Sequence, residues 1–562
     1  VLGELTGAGA AAGNTRRQPR RLIGLLAILT IVFGAVMGAL AGGGQAWAHA
    51  VLLQSSPAAD AELDSSPESI VLTFNERLED GLYYIRVLDR DKRQMTDNKP
   101  VMSDDRTQLS LKLPPLPKGT YLVTYHVISA DGHPVDGTYL FAVGEQLDEL
   151  AGGTYPETEH LHYEKDPFRS SGILDVLLFA ARILYYLLLL AFTGWLLWLR
   201  WTPRLAPATR EKLRAAAVRL QQAYAIGFIV WMWSQLPSLI GGSGADGLVY
   251  FFTRTTTGYA WIAGLALALL SFAVLYRRGW LDLVWVSLVW FAKSWLGHAA
   301  AYGPRSETLL LDWLHLAGAS IWAGGLLLLL YLWRQDKEEA RRFYPAFSNA
   351  ALLVILLLAA SGIFIVFIFL PDVTYVLETT WGLLLLAKTG LVVLVALTAL
   401  GIRLAFRKDR PRAIGAWMRA DAVLMLLICG VVGVFTYLTP QPENKPLNWH
   451  VMGEHMHMTA QISPKVPGVN DFTVKVWLPE QLGKPKQVIL RLQDTEAPDI
   501  APIVVPLAPA EDRTTEESFG MERHTYKSRG AYLPYAGYWQ IEVRVMDSND
   551  DETVYKNIIR VY

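Results

Sequence analysis

Residues 309–333 read LLLDWLHLAGASIWAGGLLLLLYLW. One carboxylate, Asp312, and one imidazole, His315, interrupt a run otherwise apolar enough to cross a bilayer, whose hydrocarbon core needs ~20 helical residues. The two are three apart and share one helix face. Ionisable groups inside a span are costly and usually face a cavity or pathway. The stretch therefore reads as a membrane helix that carries a site. Asp312 also suits a helix N-cap, and either His298 or His315 suits an interhelical hydrogen bond.

Apolar segments of the same kind fall near 173–199, 215–240, 257–276, 280–297, 309–333, 347–370, 381–402 and 417–438, the fourth being the shortest. The loops between them differ in charge. One set carries Arg200, Arg204, Arg210, Lys212 and Arg214, then Arg277 and Arg278, then Arg334, Lys337, Arg341 and Arg342, then Arg403, Arg407, Lys408, Arg410 and Arg412. The alternate set holds little beyond Arg254 and Arg305. Basic loops stay cytoplasmic, so both flanking regions are expected outside. His298 then joins Asp312 and His315 near the outer surface. Arg182, Lys293 and Lys388 also fall within spans, to gate a pathway, pair with a carboxylate or snorkel.

Ahead of the spans, Arg16, Arg17, Arg20 and Arg21 precede an apolar run, Leu22 to Leu40, and a small-x-small site at Ala46-Trp-Ala48. This reads as a secretory leader over 1–48, with an uncleaved anchor as the other reading. Cleavage would leave His49 as the first residue, offering an α-amine and an imidazole together. Residues 49–146 alternate like short strands, as in Ile70-Val-Leu72-Thr-Phe74 and Leu109-Ser-Leu111. A polar linker, 147–171, contains His160 and His162. The membrane region takes 172–440. Residues 441–562 alternate again, as at Ile541, Val543 and Val545. The expected fold is a multi-domain membrane protein: an N-terminal β-barrel or sandwich, an eight-helix transmembrane bundle and a C-terminal β-sandwich.

The net charge of −1 over 562 residues excludes a basic nucleic-acid surface. The single cysteine, Cys429, excludes an intramolecular disulfide and a cysteine-based zinc site. No Walker A pattern is present. His49 with Asp131 and His133 would assemble three nitrogens and a carboxylate oxygen. Tetragonal N,O ligation suits Cu(II) or Ni(II), and the affinity order favours copper. Asp131-Gly-His-Pro equally suits a turn. A further cluster, His450-Val-Met-Gly-Glu-His455-Met456-His457-Met458, follows the last span. Its thioethers suit Cu(I) and its imidazoles either oxidation state.

The His49-Ala start, Phe74-Asn-Glu76 and Ser129-x-Asp131-Gly-His133-Pro-x-x-Gly137 resemble the CopC family of copper-binding β-barrels. That resemblance implies Cu(II) ligation by His49, Asp131 and His133. Gly297-His298-Ala, Asp312-x-x-His315 and Trp322-x-Gly-Gly325 resemble the CopD family of membrane proteins, as does Trp381-Gly382 with Lys388. Ile402-Arg403 departs from the family's usual Asn-Arg. The last region is similar to YtkA-like domains. The order resembles CopC–CopD fusions of copper uptake. It implies a non-enzymatic copper-acquisition protein of a bacterial plasma membrane, with copper, the lipid bilayer and an extracytoplasmic copper chaperone as partners. Extracytoplasmic sequestration and a copper or haem redox enzyme are the rival readings.

Overall fold

The structure, a computed structural model, describes residues 50–145 and 173–562, apart from 51, 60, 131, 133, 203–204, 241–243, 303, 371, 439, 441, 443, 445, 454–455 and 511–520. The leader expected over 1–48, the linker expected over 147–171 and the ligand candidates His49, Asp131, His133 and His455 lie outside the described residues. Two compact units emerge. Among the described residues, one is helical, over 173–237 and 257–440; the other, mostly β, holds 50–145, 238–256 and 442–562.

The first β region has eight strands among the described residues: β1 Leu52–Ser56, β2 Ala61–Leu63, β3 Ser69–Phe74, β4 Tyr84–Leu88, β5 Val101–Met102, β6 Gln108–Lys112, β7 Gly119–Ile128 and β8 Pro134–Val143. They form two four-stranded sheets, ordered β1-β3-β6-β5 and β2-β8-β7-β4. Alternation puts every second side chain inward. Ile70, Leu72, Phe74, Leu109 and Leu111 accordingly join Val123, Val127 and Phe141 in one buried core. Ala50, the first described residue, is 1% exposed and belongs to that core.

The helices are α1 Ile173–Trp201, α2 Pro207–Ile240, α3 Gly244–Arg254, α4 Thr256–Val274, α5 Gly279–Ser294, α6 His298–Ala301, α7 Arg305–Gln335, α8 Lys337–Phe369, α9 Tyr375–Glu378, α10 Thr380–Arg407 and α11 Pro411–Phe435. Seven of them, α1, α2, α4, α7, α8, α10 and α11, are long and apolar enough to cross a membrane. The fourth segment expected as a span is helical but shorter. Helix α5 has 16 residues, about 24 Å at 1.5 Å per residue, against a core of ~30 Å. Gly297, at φ 127°, breaks the chain before α6 resumes.

Helix α7 is the most enclosed. Its most apolar stretch is 67% buried, against 17% for α8 and 22% for α10. It meets α1 at a crossing built on glycine. A Cβ added to Gly194 would stand 1.8 Å from the Ser320 carbonyl oxygen, and one on Gly324 would stand 2.2 Å from the Gly194 carbonyl carbon. Small residues let membrane helices touch backbone to backbone, where dispersion replaces the hydrophobic drive absent in lipid. Beside the crossing, Thr193 Oγ1 donates to Ser320 Oγ (3.0 Å), and Trp290 Nε1 donates to the same oxygen (3.1 Å). The glycines of Trp322-x-Gly-Gly325 are therefore explained by packing.

The last region has nine strands among the described residues: β9 Leu447–Met452, β10 His457–Ser463, β11 Gly468–Pro479, β12 Gln487–Asp494, β13 Ile503–Val505, β14 Ala508–Ala510, β15 Met521–Leu533, β16 Gly537–Met546 and β17 Glu552–Val561. Two sheets, β14-β15-β11-β10-β9 and β13-β12-β16-β17, contribute to one buried core. Ile541, Val543 and Val545 are fully buried in it.

Gly194→Ala is expected to destabilise the detergent-solubilised protein by about 1–3 kcal/mol through overpacking. Gly390→Ala, where nothing lies within 4 Å, should be neutral or stabilise by up to ~1 kcal/mol. Thermal unfolding followed by circular dichroism checks both; equal melting temperatures would refute the tight crossing.

Candidate functional site

Strands β7 and β8 make a long hairpin whose tip carries Ser129 to His133. Gly132 takes φ 84° and donates its N–H to the Ser129 carbonyl at 2.9 Å. A side chain there would be strained, so glycine suits the position. The chain turns at Gly132. A neighbouring segment clamps the base: Ala130 N–H donates to the Arg77 carbonyl (2.8 Å), and Glu79 N–H to the Ile128 carbonyl (2.7 Å). The Glu79 carboxylate in turn accepts from the Thr256 backbone N–H (3.2 Å) and from the Thr256 hydroxyl.

Further down the hairpin, His126 and Asp136 face each other in the ladder. His126 is 2% exposed, its Nδ1 lies 2.6 Å from Asp136 Oδ1, and its ring stacks on Tyr84. The sequence offered no role for His126. Here it is a positioning residue that pins the two strands below the turn. At Gly137, a Cβ would meet the Tyr125 ring at 2.2 Å, so glycine admits that ring, which packs edge-on to Phe74.

In the helical unit, His315 Nδ1 lies 3.0 Å from Ser361 Oγ on α8. Gly362 lies beside that imidazole, where a Cβ would make ordinary contact with Cε1 at 3.9 Å. Lys388 of α10 is close enough to interact through space with Asp312, His315 and Cys429. Asp312, His315 and Lys388 are thus drawn together from α7 and α10. His298 stands elsewhere, its ring 6.2 Å from that of Phe369. Ser361 and Phe369 are eight residues apart on α8 (369 − 361), about 12 Å along the axis. Among the described residues, no three His, Cys, Asp or Glu side chains are grouped to hold a metal ion. The two histidines occupy separate levels of the helix bundle.

The other ionisable groups in spans find local partners. Lys293 Nζ donates to the Leu296 carbonyl (2.9 Å) and lies over the Tyr186 ring. Arg182 donates to Gln235 Oε1 (2.9 Å) and lies over Tyr437. Asp421 on α11 escaped the sequence analysis. It is 2% exposed and accepts from Thr398 Oγ1 (2.9 Å) and from the Trp322 side chain. The rule that singled out Lys388, an ionisable group in an apolar run, would have found it.

After the last span, the cluster around His457 divides between two faces. Met456 and Met458, 6% and 0% exposed, belong to the core. His450 and His457 lie on the opposite face, their rings nearly parallel with centroids 6.4 Å apart. The two thioethers expected to join the histidines are therefore on the wrong side of the sheet.

Residues 52–144 match the family model of the CopC domain, and residues 341–435 match that of copper resistance protein D. The second match begins after α7, so His298, Asp312 and His315 precede it, whereas Ser361, Lys388 and Asp421 fall inside. The chain is 26% identical over 541 residues to the copper transport protein CutJ of Bacillus subtilis strain 168, covering 90% of this chain and 94% of that one. It is 33% identical over 118 residues to copper resistance protein C of Escherichia coli, covering 20% of this chain and 90% of the relative. Among solved structures, CopC from Methylosinus trichosporium OB3b shares 32% identity with a TM-score of 0.17, covering 18% of this chain and 98% of that one. One polypeptide thus carries a segment that matches the CopC domain and another that matches copper resistance protein D.

Proposed function

We propose that this chain acquires copper across a bacterial plasma membrane. The observation that carries the reading is the union in one polypeptide of a CopC domain with membrane helices that bring Asp312, His315 and Lys388 together. Leader cleavage after Ala48 exposes His49. Its amine and imidazole, with Asp131 and His133 from the clamped turn, take Cu(II) as cargo. A loop tip can present ligands without breaking the ladder beneath it. The domains run 49–146, 172–440 and 441–562, the last a YtkA-like β-sandwich.

The charge bias of the loops calls for eight crossings, with α5 and α6 together completing the fourth. Both β regions then lie outside. Copper passes first to His298 and then inward to His315. The Lys388 ammonium near Asp312 limits the negative charge there and keeps that level from becoming a trap. An extracytoplasmic chaperone delivers the ion, and lipid surrounds α8 and α10.

Two outcomes are expected. His49→Ala weakens Cu(II) binding by about a hundredfold or more in titrations of the mature protein. Wild-type affinity falls as pH drops below ~7.7–8, because a protonated amine cannot ligate. Undiminished binding by His49→Ala would end the N-terminal reading. In cells, deletion of the chain should lower copper content, and His315→Ala should restore Cu(II) binding but not accumulation. Unchanged content with greater copper sensitivity would instead favour sequestration.

A further inference from the structure

The outer face of the C-terminal five-stranded sheet carries a ligand set that differs from the one its sequence run suggests. In the β9–β10 ladder, Met452 stands directly across from His457, and His450 across from Thr459. Directly opposed residues have Cβ atoms within about 4.5–5.5 Å and diagonal ones within ~7–8 Å, so all of these side chains share one small patch. Met452 is 74% exposed, whereas the neighbouring Met456 and Met458 are sealed in the core. On the far side of β10, Trp477 pairs with His457 and presents its ring edge-on to His450, with centroids 6.0 Å apart.

We propose that His450, Met452 and His457 form a site for a soft monovalent cation, Cu(I), walled by Trp477. Thioether and imidazole together favour Cu(I) over the harder Cu(II). The histidines are partly preset. His450 Nδ1 lies 2.8 Å from Thr459 Oγ1; in the tautomer that donates to this oxygen, the lone pair is on Nε2, facing away from the strand. The rings of His450 and His457 stand nearly parallel, 7° apart, so a small rotation of each aims two nitrogens at one ion. Met452 is unbranched and swings its sulfur across from the neighbouring strand. The indole closes the patch on the β11 side. The hairpin fixes the register: Gly453 N–H donates to the Met456 carbonyl at 3.0 Å, and Tyr555 Oη donates to the same oxygen at 3.3 Å.

This goes beyond the transport reading, because binding is measured in purified protein whatever the direction of flux. The probe is Ag(I), which shares the ligand preference of Cu(I) and needs no reductant. Ligation engages the sulfur lone pair that peroxide attacks. In the full chain in detergent, peroxide should convert Met452 to its sulfoxide quickly, read by mass spectrometry of its peptide. Added Ag(I) should slow that step by about tenfold or more. The double variant His450→Ala, His457→Ala should lose the protection. Separately, Met452→Leu should lose one equivalent of Cu(I) in competition with a chromogenic chelator. The pair Met456→Leu, Met458→Leu, volume-conserving in the core, should retain it. Oxidation of Met452 indifferent to Ag(I), protection that survives loss of both histidines, or Cu(I) lost with the core methionines and kept without Met452, would each overturn the proposal.

Discussion

Lipid offers no hydrogen-bond partner, and the polar chemistry of the helical unit follows from that refusal. Several ionisable or hydroxyl-bearing side chains described within the spans meet another protein group. Thr193, Ser320 and Trp290 close one such knot, and Asp421 with Thr398 and Trp322 closes another. His315 with Ser361, near the Lys388 that also reaches Asp312, makes a third. At the base of α5, Asp282 is 1% exposed and accepts from Arg200 Nε at 2.7 Å. Removing one member of such a pair leaves the other buried and unsatisfied, a costlier loss than losing both. The contacts therefore bind distant helices to one another as well as arranging chemistry.

The β regions obey the opposite constraint. Their strands satisfy the backbone in ladders and bury alternate side chains, which leaves turns and outer faces free to vary. The hairpin tip at Gly132 and the patch at His450 use that freedom. In the first case a clamp from Arg77 and Glu79 steadies the turn. In the second, a fixed ladder register brings together side chains that are five and seven residues apart in sequence.

Much of the architecture was legible because periodicity is a local property. The alternation of Ile70, Leu72 and Phe74, and the apolar run over 309–333, needed no partner to be read. The shortness of α5 was less legible, since the sequence carries its apolar character to Gly297 while the helix ends at Ser294. Asp312, His315 and Lys388 were each visible as charges in apolar surroundings, but their convergence depends on how the helices are arranged in space, and so does the separation of His298 from His315. At the other end of the chain, only strand pairing reveals Met452 beside His457. The ladder partner of a residue is a long-range fact, and a single strand does not encode it.

The uneven enclosure of the spans carries one more consequence. Helix α7 is shielded by its neighbours, while α8 presents most of its apolar length outward. A bilayer of altered thickness strains an outward-facing helix first, and the helix answers by tilting or sliding. The His315–Ser361 contact joins the sheltered helix to that responsive one. Acyl-chain length, set by growth temperature and fatty-acid supply, thereby gains mechanical leverage on the imidazole.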